Sequence, residues 1–284
     1  MIVVTGVTGQ LGSAIVESLL ALVPGNEIVG CARDPAKAKS LAGRLAHLYR
    51  ADFDDPASLR NAFKGASQVL LVSSNAAASG GDPLAQHRNA IAVAKECGVD
   101  RVLYTSHMGC SATSAFPPMR DHFATERMLA DSGVAWTSLR NGFYASTVPR
   151  LVGDAAMTGV IEAPKDGKVS WTTHKDLAAA AARILVTNGR YNGPTPPLTA
   201  STSHDLSDIA GLLSQKLGRL IERREITDEA YESRLAAGKL PSATIVIMLG
   251  LYRAARAGEF AAVDPTLAAL TGRYPESVST VLAL

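Results

Sequence analysis

Thr5-Gly-Val-Thr-Gly-Gln-Leu-Gly12 follows the β-branched run Ile2-Val-Val4. It opens a segment, Gln10 to Leu22, in which Leu11, Ile15, Val16, Leu19 and Leu20 recur at spacings of three and four. The run reads as a strand and the periodic segment as a helix. Three glycines (Gly6, Gly9, Gly12) therefore fall on a strand-to-helix turn. That is where a dinucleotide pyrophosphate can lie against backbone N–H groups of a helix N-terminus, and any Cβ would hold it away. Gly12 also lets the helix pack close to the strand. A glycine turn that binds nothing is the alternative, and the surrounding chain has to decide between them.

Outward from this turn the chain alternates. Strands are expected at Glu27 to Cys31, His47 to Ala51, Gln68 to Val72, Arg101 to Ser106 and Val134 to Leu139. Between them come helices at Pro35 to Ala42, Pro56 to Phe63, Pro83 to Cys97 and Met119 to Asp131, the first three capped by Asp34, Asp55 and Asp82. Gln68-Val-Leu-Leu-Val72 is too continuously apolar for a half-exposed strand and is placed centrally. Strict alternation means crossover connections, hence an α/β, Rossmann-type doubly wound parallel sheet. Residues 1–150 are expected to form the nucleotide-binding domain. Residues 151–284 are expected to form a smaller α-rich lobe, with some later segments returning to the sheet. Helices are read there at Asp176 to Val186, Ser207 to Leu217 and Asp228 to Ala237, and Asn192-Gly-Pro-Thr-Pro-Pro197 as a break.

Composition narrows the class. Apolar residues are 47% and charged ones 19% of 284, enough to bury a large core and too apolar for disorder. A net charge of +2 with scattered Lys and Arg gives no nucleic-acid footprint. The apolar run from Ala243 to Tyr252 is about half the ~20 residues of a membrane span. Cys31, Cys97 and Cys110 lack metal-ligand spacing, so neither a metal nor a disulfide is expected, and a cytoplasmic setting is.

The second strand ends Gly30-Cys-Ala-Arg33, with Lys37 one helical turn on. Sites that prefer NAD place an acidic residue here for the ribose 2′-OH. A guanidinium instead suits a 2′-phosphate, favouring NADPH with NADH as a weaker possibility, although a solvated surface arginine is the bland alternative.

A glycine turn on such a chain resembles the short-chain dehydrogenase/reductase superfamily, whose usual members carry Tyr-x-x-x-Lys as acid–base pair. None of the seven tyrosines has a lysine four residues later. On the helix that should carry the pair, His122 and Glu126 share a face with Met119 and Leu129, opposite Arg120, Ala124, Arg127 and Asp131. They are either a satisfied structural pair or site residues, with Glu126 raising the histidine pKa. His87, on the inward face of its helix, is expected to be a hydrogen-bonded core residue. His174 either closes over the cleft or belongs to a capped surface turn.

The resemblance sharpens over Thr5–Gly12, Ala32–Lys37, Ala51–Phe53, Tyr104–Ser106, His122-x-x-x-Glu126, Met128–Gly133 and Leu139–Tyr144. Together these segments look like the NmrA-like atypical reductases, most of all the branch of type-2 quinone oxidoreductase and triphenylmethane reductase. The resemblance implies that Gly6, Thr8, Gly9, Gln10, Leu11 and Gly12 bind the pyrophosphate, and that Arg33 and Lys37 bind the 2′-phosphate. It puts Asp52 and Phe53 at the adenine, and Ser73, Ser74 and Asn75 at the ribose and nicotinamide. Thr105, Ser106 and His107 fall beside the nicotinamide. Asn141 and Tyr144 line the substrate cleft, and His122 or Tyr144 supplies a proton. The expected activity is hydride transfer to a small quinone-like or dye-like acceptor by a monomer or homodimer. An NADP-binding redox sensor that turns nothing over is the alternative.

Overall fold

The computed structural model describes residues 1–187 and 189–282. The first half contains β1 (Ile2–Val4), α1 (Gln10–Leu20), β2 (Ile28–Ala32), β3 (His47–Arg50), α2 (Pro56–Phe63), β4 (Gln68–Leu71), α3 (Pro83–Glu96), β5 (Arg101–His107), α4 (Pro117–Asp131) and β6 (Ala135–Asn141). Then come β7 (Phe143–Tyr144), α5 (Val148–Val152), α6 (Ala155–Thr158), β8 (Val160–Pro164), β9 (Trp171–Thr172), α7 (His174–Val186) and β10 (Gly193–Pro194). The last elements are α8 (Leu206–Leu217), β11 (Glu222–Ile226), α9 (Asp228–Ala237), α10 (Ser242–Arg256) and α11 (Thr266–Thr271).

Seven strands pair in parallel in the order β10-β6-β5-β4-β1-β2-β3. The doubly wound parallel sheet expected from the alternation is therefore present, with β4 central and fully buried. The order reverses direction beside β1, which opens a crevice at the carboxyl ends of the strands. One face is covered by α1, α7 and α11 through Ile15, Leu19, Leu177, Ala181 and Leu267. The other is covered by α2, α3 and α4 through Leu59, Phe63, Ile91 and Leu129. A third core, built around Phe143, Trp171, Tyr252 and Phe260, holds the remaining helices and two small sheets, β11 with β8 and β7 with β9.

Two local expectations change, and one run gains an assignment. Pro35 to Ala42 is not an α-helix but a 3-10 stretch, Pro35–Leu41, kinked at Ala38; it buries only Ala38 and Leu41, too little to stabilise a full helical turn. Gly193–Pro194, read as a break, adds a seventh strand, which proline permits because it lies at the edge. The run from Ala243 forms most of a 15-residue helix, α10, that buries Ile245, Leu249 and Tyr252 at spacings of three and four. Among the described residues no helix is long and apolar enough to cross a membrane.

The glycine turn sets how closely α1 meets the sheet. A Cβ on Gly12 would lie 2.2 Å from the Gly6 carbonyl oxygen and 2.7 Å from its carbon, both immobile backbone atoms. Gly12→Ala is therefore expected to destabilise by about 1–3 kcal/mol, lowering Tm by several degrees. An unchanged Tm in thermal unfolding would show that α1 can back away from β1.

Candidate cofactor and active site

Gly6 turns the chain at φ +65°, and the Gly9 N–H donates to its carbonyl at 2.9 Å. Gly9 is also the N-cap of α1, so no side chain caps the helix, and its first turn carries no acidic residue. Thr8, Gly9 and Gln10 are exposed, whereas Leu11 and Gly12 are buried. The turn thus presents uncapped amides with a partial positive charge. Thr5 braces it from below: its Oγ1 donates to Leu70 O (3.2 Å) and accepts the Val72 N–H (2.9 Å). Arg33 stands exposed just past the end of β2, with no ion pair among the described residues. Lys37, also exposed, lies 4.0 Å from Asp34.

Two loops wall the crevice next to β1. Asp52 accepts the Asp54 N–H at 3.1 Å, and Phe53 stands edge-on to His87. The Ser73 N–H reaches Thr105 Oγ1 (2.8 Å), and Thr105 donates back to Ser73 Oγ (3.2 Å). The Ser74 N–H reaches His87 Nε2 (2.9 Å), while Asn75 is exposed. One helix holds both loops. From α3, Asn89 donates to the Phe53 carbonyl (3.0 Å), Gln86 donates to Asp54 (2.6 Å) and accepts from Ser74 Oγ (2.5 Å), and His87 takes the Ser74 amide. The sequence reading placed His87 in the core but missed this role, and it missed Gln86 and Asn89 altogether. Their signal, three polar residues within one turn of an otherwise core-facing helix, was in the sequence.

At the ends of β5 and β6 the expected His122–Glu126 pair comes apart. Glu126, 6% exposed, accepts from Ser106 Oγ (2.8 Å), Ser138 Oγ (2.6 Å) and Arg140 Nη2 (2.7 Å). Burial alone would raise its pKa, but these bonds and the Arg140 charge hold it below the ordinary value. Glu126 is thus committed to a buried ion pair, and the Ser106 hydroxyl is spent there rather than turned to the cofactor crevice. His122 bonds instead to the Tyr104 hydroxyl, Nδ1 to oxygen 2.7 Å. Its pKa is pushed down to about 4, because burial outweighs the Glu126 charge. Glu126 does pull it upward, as expected, but burial pulls harder and the net shift is downward.

His107 stacks near His122 at 6.2 Å and meets Phe143 and Phe260 edge-on. Its Nδ1 accepts the Gly109 N–H at 3.0 Å, and its buried Nε2 has no partner among the described residues. Asn141 pairs in register with His107 and is 1% exposed, with Oδ1 likewise unpartnered. Tyr144 has its hydroxyl beside Asn141; burial raises its pKa and that contact opposes the rise. His174, first residue of α7, has its ring 4.5 Å from the Tyr144 ring, and it also sits in the capped turn expected before Asp176, where Thr173 Oγ1 accepts the Asp176 N–H. The candidates thus form two groups, the glycine turn with Arg33 and the cluster of His122, His107, Asn141, Tyr144 and His174.

Burial lowers the pKa of four of the six histidines, His87 to about 3, His122 to about 4, and His107 and His174 downward as well. The unfolded chain takes up protons that the folded one refuses, so stability falls with acidification. Tm should hold above pH 6.5 and fall steadily from there toward about pH 4. Glu126, depressed from 4.5, adds its own loss at the acid end. A Tm independent of pH across that window would mean these rings are charged in the fold.

The family model described as the NmrA-like family matches residues 1–272. Quinone oxidoreductase 2 of Escherichia coli (strain K12) is 37% identical over 242 residues, covering 85% of this chain and 83% of the relative. Among solved structures, the NADPH-dependent quinone oxidoreductase of E. coli complexed with NADPH superimposes with a TM-score of 0.89 at 33% identity, covering 99% of both chains. Citrobacter triphenylmethane reductase complexed with NADP(H) follows at 0.88 and 28%, also over 99% of both. On this match, which spans the glycine turn, both walls of the crevice and nearly all of the residues that follow, the chain belongs to the NmrA-like family.

Proposed function

We propose that this chain is an NADPH-dependent reductase that passes a hydride to a quinone-like or conjugated, dye-like acceptor. The broader class, an NAD(P)H-dependent oxidoreductase, is that of the E. coli quinone oxidoreductase and the Citrobacter dye reductase. The observation that carries the reading is the uncapped α1 N-terminus at the glycine turn, with an exposed arginine at the end of the neighbouring strand that has no ion pair among the described residues. Those groups fit a dinucleotide: the amides of residues 8–12 would hold the pyrophosphate, and Arg33 with Lys37 the 2′-phosphate. Asp52, Phe53, Ser73, Ser74, Asn75 and Thr105 would line its adenine and ribose ends. The cofactor, when bound, supplies the hydride.

The residues at the far end suit an acceptor that needs little acid catalysis. No tyrosine is followed four residues on by lysine, and His122 is neutral at physiological pH. A quinone tolerates this, because its reduced oxyanion is delocalised and weakly basic. Asn141 and Tyr144 would hydrogen-bond that oxygen, and the side chains around them would hold the acceptor flat against the nicotinamide. A non-catalytic NADP-binding sensor is the rival. The Asn141 Oδ1, which has no hydrogen-bond partner among the described residues, supports the reductase reading over the sensor.

NADPH consumption with benzoquinone, a naphthoquinone and a triphenylmethane dye should exceed the protein-free rate, and no turnover across that panel would defeat the reductase. Arg33→Ala should raise the Kd of NADPH roughly 10- to 100-fold while leaving NADH nearly unchanged. Equal loss for both nucleotides in a binding titration would remove the preference for the 2′-phosphate.

A further inference from the structure

Among the described residues His122 has one hydrogen-bond partner, the Tyr104 hydroxyl at 2.7 Å, and Tyr104 is fully buried. Which atom carries each proton follows from the bonds around them. The Ser74 N–H occupies His87 Nε2, so neutral His87 carries its proton on Nδ1 and donates it to Thr125 Oγ1 at 2.9 Å. The Thr125 hydroxyl in turn donates to the Asp121 carbonyl at 2.8 Å. The Tyr104 hydroxyl lies 2.7 Å from His122 Nδ1 and also faces the Thr125 hydroxyl, which is already engaged with Asp121 and His87, and this leaves Nδ1 as its acceptor. A neutral His122 that accepts there carries its proton on Nε2, which has no partner among the described residues.

We propose that Tyr104 is a positioning residue: by donating to Nδ1 it holds His122 as the Nε2–H tautomer, a neutral hydrogen-bond donor to the oxygen of the reduced acceptor. The proposal rests on the reductase reading above. The groups that face His122 keep it uncharged. Tyr104 and His107 on β5 and His87 on α3 are all buried, and the charge of Glu126 on its own helix is taken up by Arg140. An imidazole held this way is a poor proton source. Releasing Nε2–H would require Nδ1 to take the Tyr104 proton, leaving a buried phenolate with no cation in contact. Hydride addition makes the acceptor an oxyanion, His122 stabilises it through Nε2–H, and the proton that completes the hydroxyl comes from water.

The test combines ¹⁵N spectra of ring-labelled histidine with kinetics. In the wild-type protein His122 should show an unprotonated Nδ1 and a protonated Nε2, unchanged between about pH 5.5 and 8. Tyr104→Phe should give a mixture of tautomers and lower kcat with benzoquinone about 5- to 10-fold, with the Kd of NADPH unchanged. His122→Gln, which keeps an amide N–H at comparable reach, should retain more turnover than His122→Phe. A protonated Nδ1 in the wild-type spectrum overturns the proposal. So does a Tyr104→Phe variant with both spectrum and kcat unchanged. Should the wild-type protein fail to oxidise NADPH with any acceptor of the panel, the reductase reading falls, and the spectrum alone still decides the tautomer.

Discussion

The first helix reaches the carboxyl end of the first strand because position 12 has no side chain. The Gly6 carbonyl oxygen occupies the space a Cβ would need, and the close approach brings the first-turn amides of α1 to the floor of the crevice. Much else is arranged around that approach. Val72 lies against Gly6, Thr5 ties the turn to β4, and Arg33 emerges one strand away. Moved outward by the width of a methyl group, α1 would still pack through Ile15 and Leu19, but its amides would no longer converge on one point.

Buried polar groups divide into two kinds. Around Glu126 the accounts close: one carboxylate takes two hydroxyls and a guanidinium, so β5, β6 and α4 are pinned together near the site without leaving an unpaired charge. At His107 and Asn141, side by side on adjacent strands, Nε2 and Oδ1 have no partners among the described residues. Unsatisfied atoms are expected where a protein receives a ligand, because a bound molecule can supply the missing bonds.

Much of this was legible in the sequence, for physical reasons that differ by element. The alternation of β-branched runs with three-and-four periodic segments reports burial directly, and it located the six main strands and the glycine turn. Aspartate–proline starts located α2 and α3. Capping says little about helix type, which is why Pro35–Leu41 was mistaken. The His122–Glu126 spacing correctly put both on one face of α4, yet a helical wheel cannot say what comes from the opposite side. Arg140 and Tyr104 arrive from strands 14 and 18 residues away in sequence and divide the pair between them. The roles of Gln86, His87 and Asn89 depend likewise on loops brought near by the sheet.

The strand β10 consists of a glycine and a proline at the outer margin of the sheet. Proline has no N–H to offer, and two residues make a short template. A parallel sheet this apolar would otherwise invite an extended segment of another polypeptide to zip onto its open side. The opposite margin, β3, ends in the exposed side chains of His47 and Arg50, which are poor company for an incoming strand. The molecule therefore carries protection against edge-to-edge aggregation at both borders of its sheet, well away from the crevice, so that protection costs the crevice none of its openness.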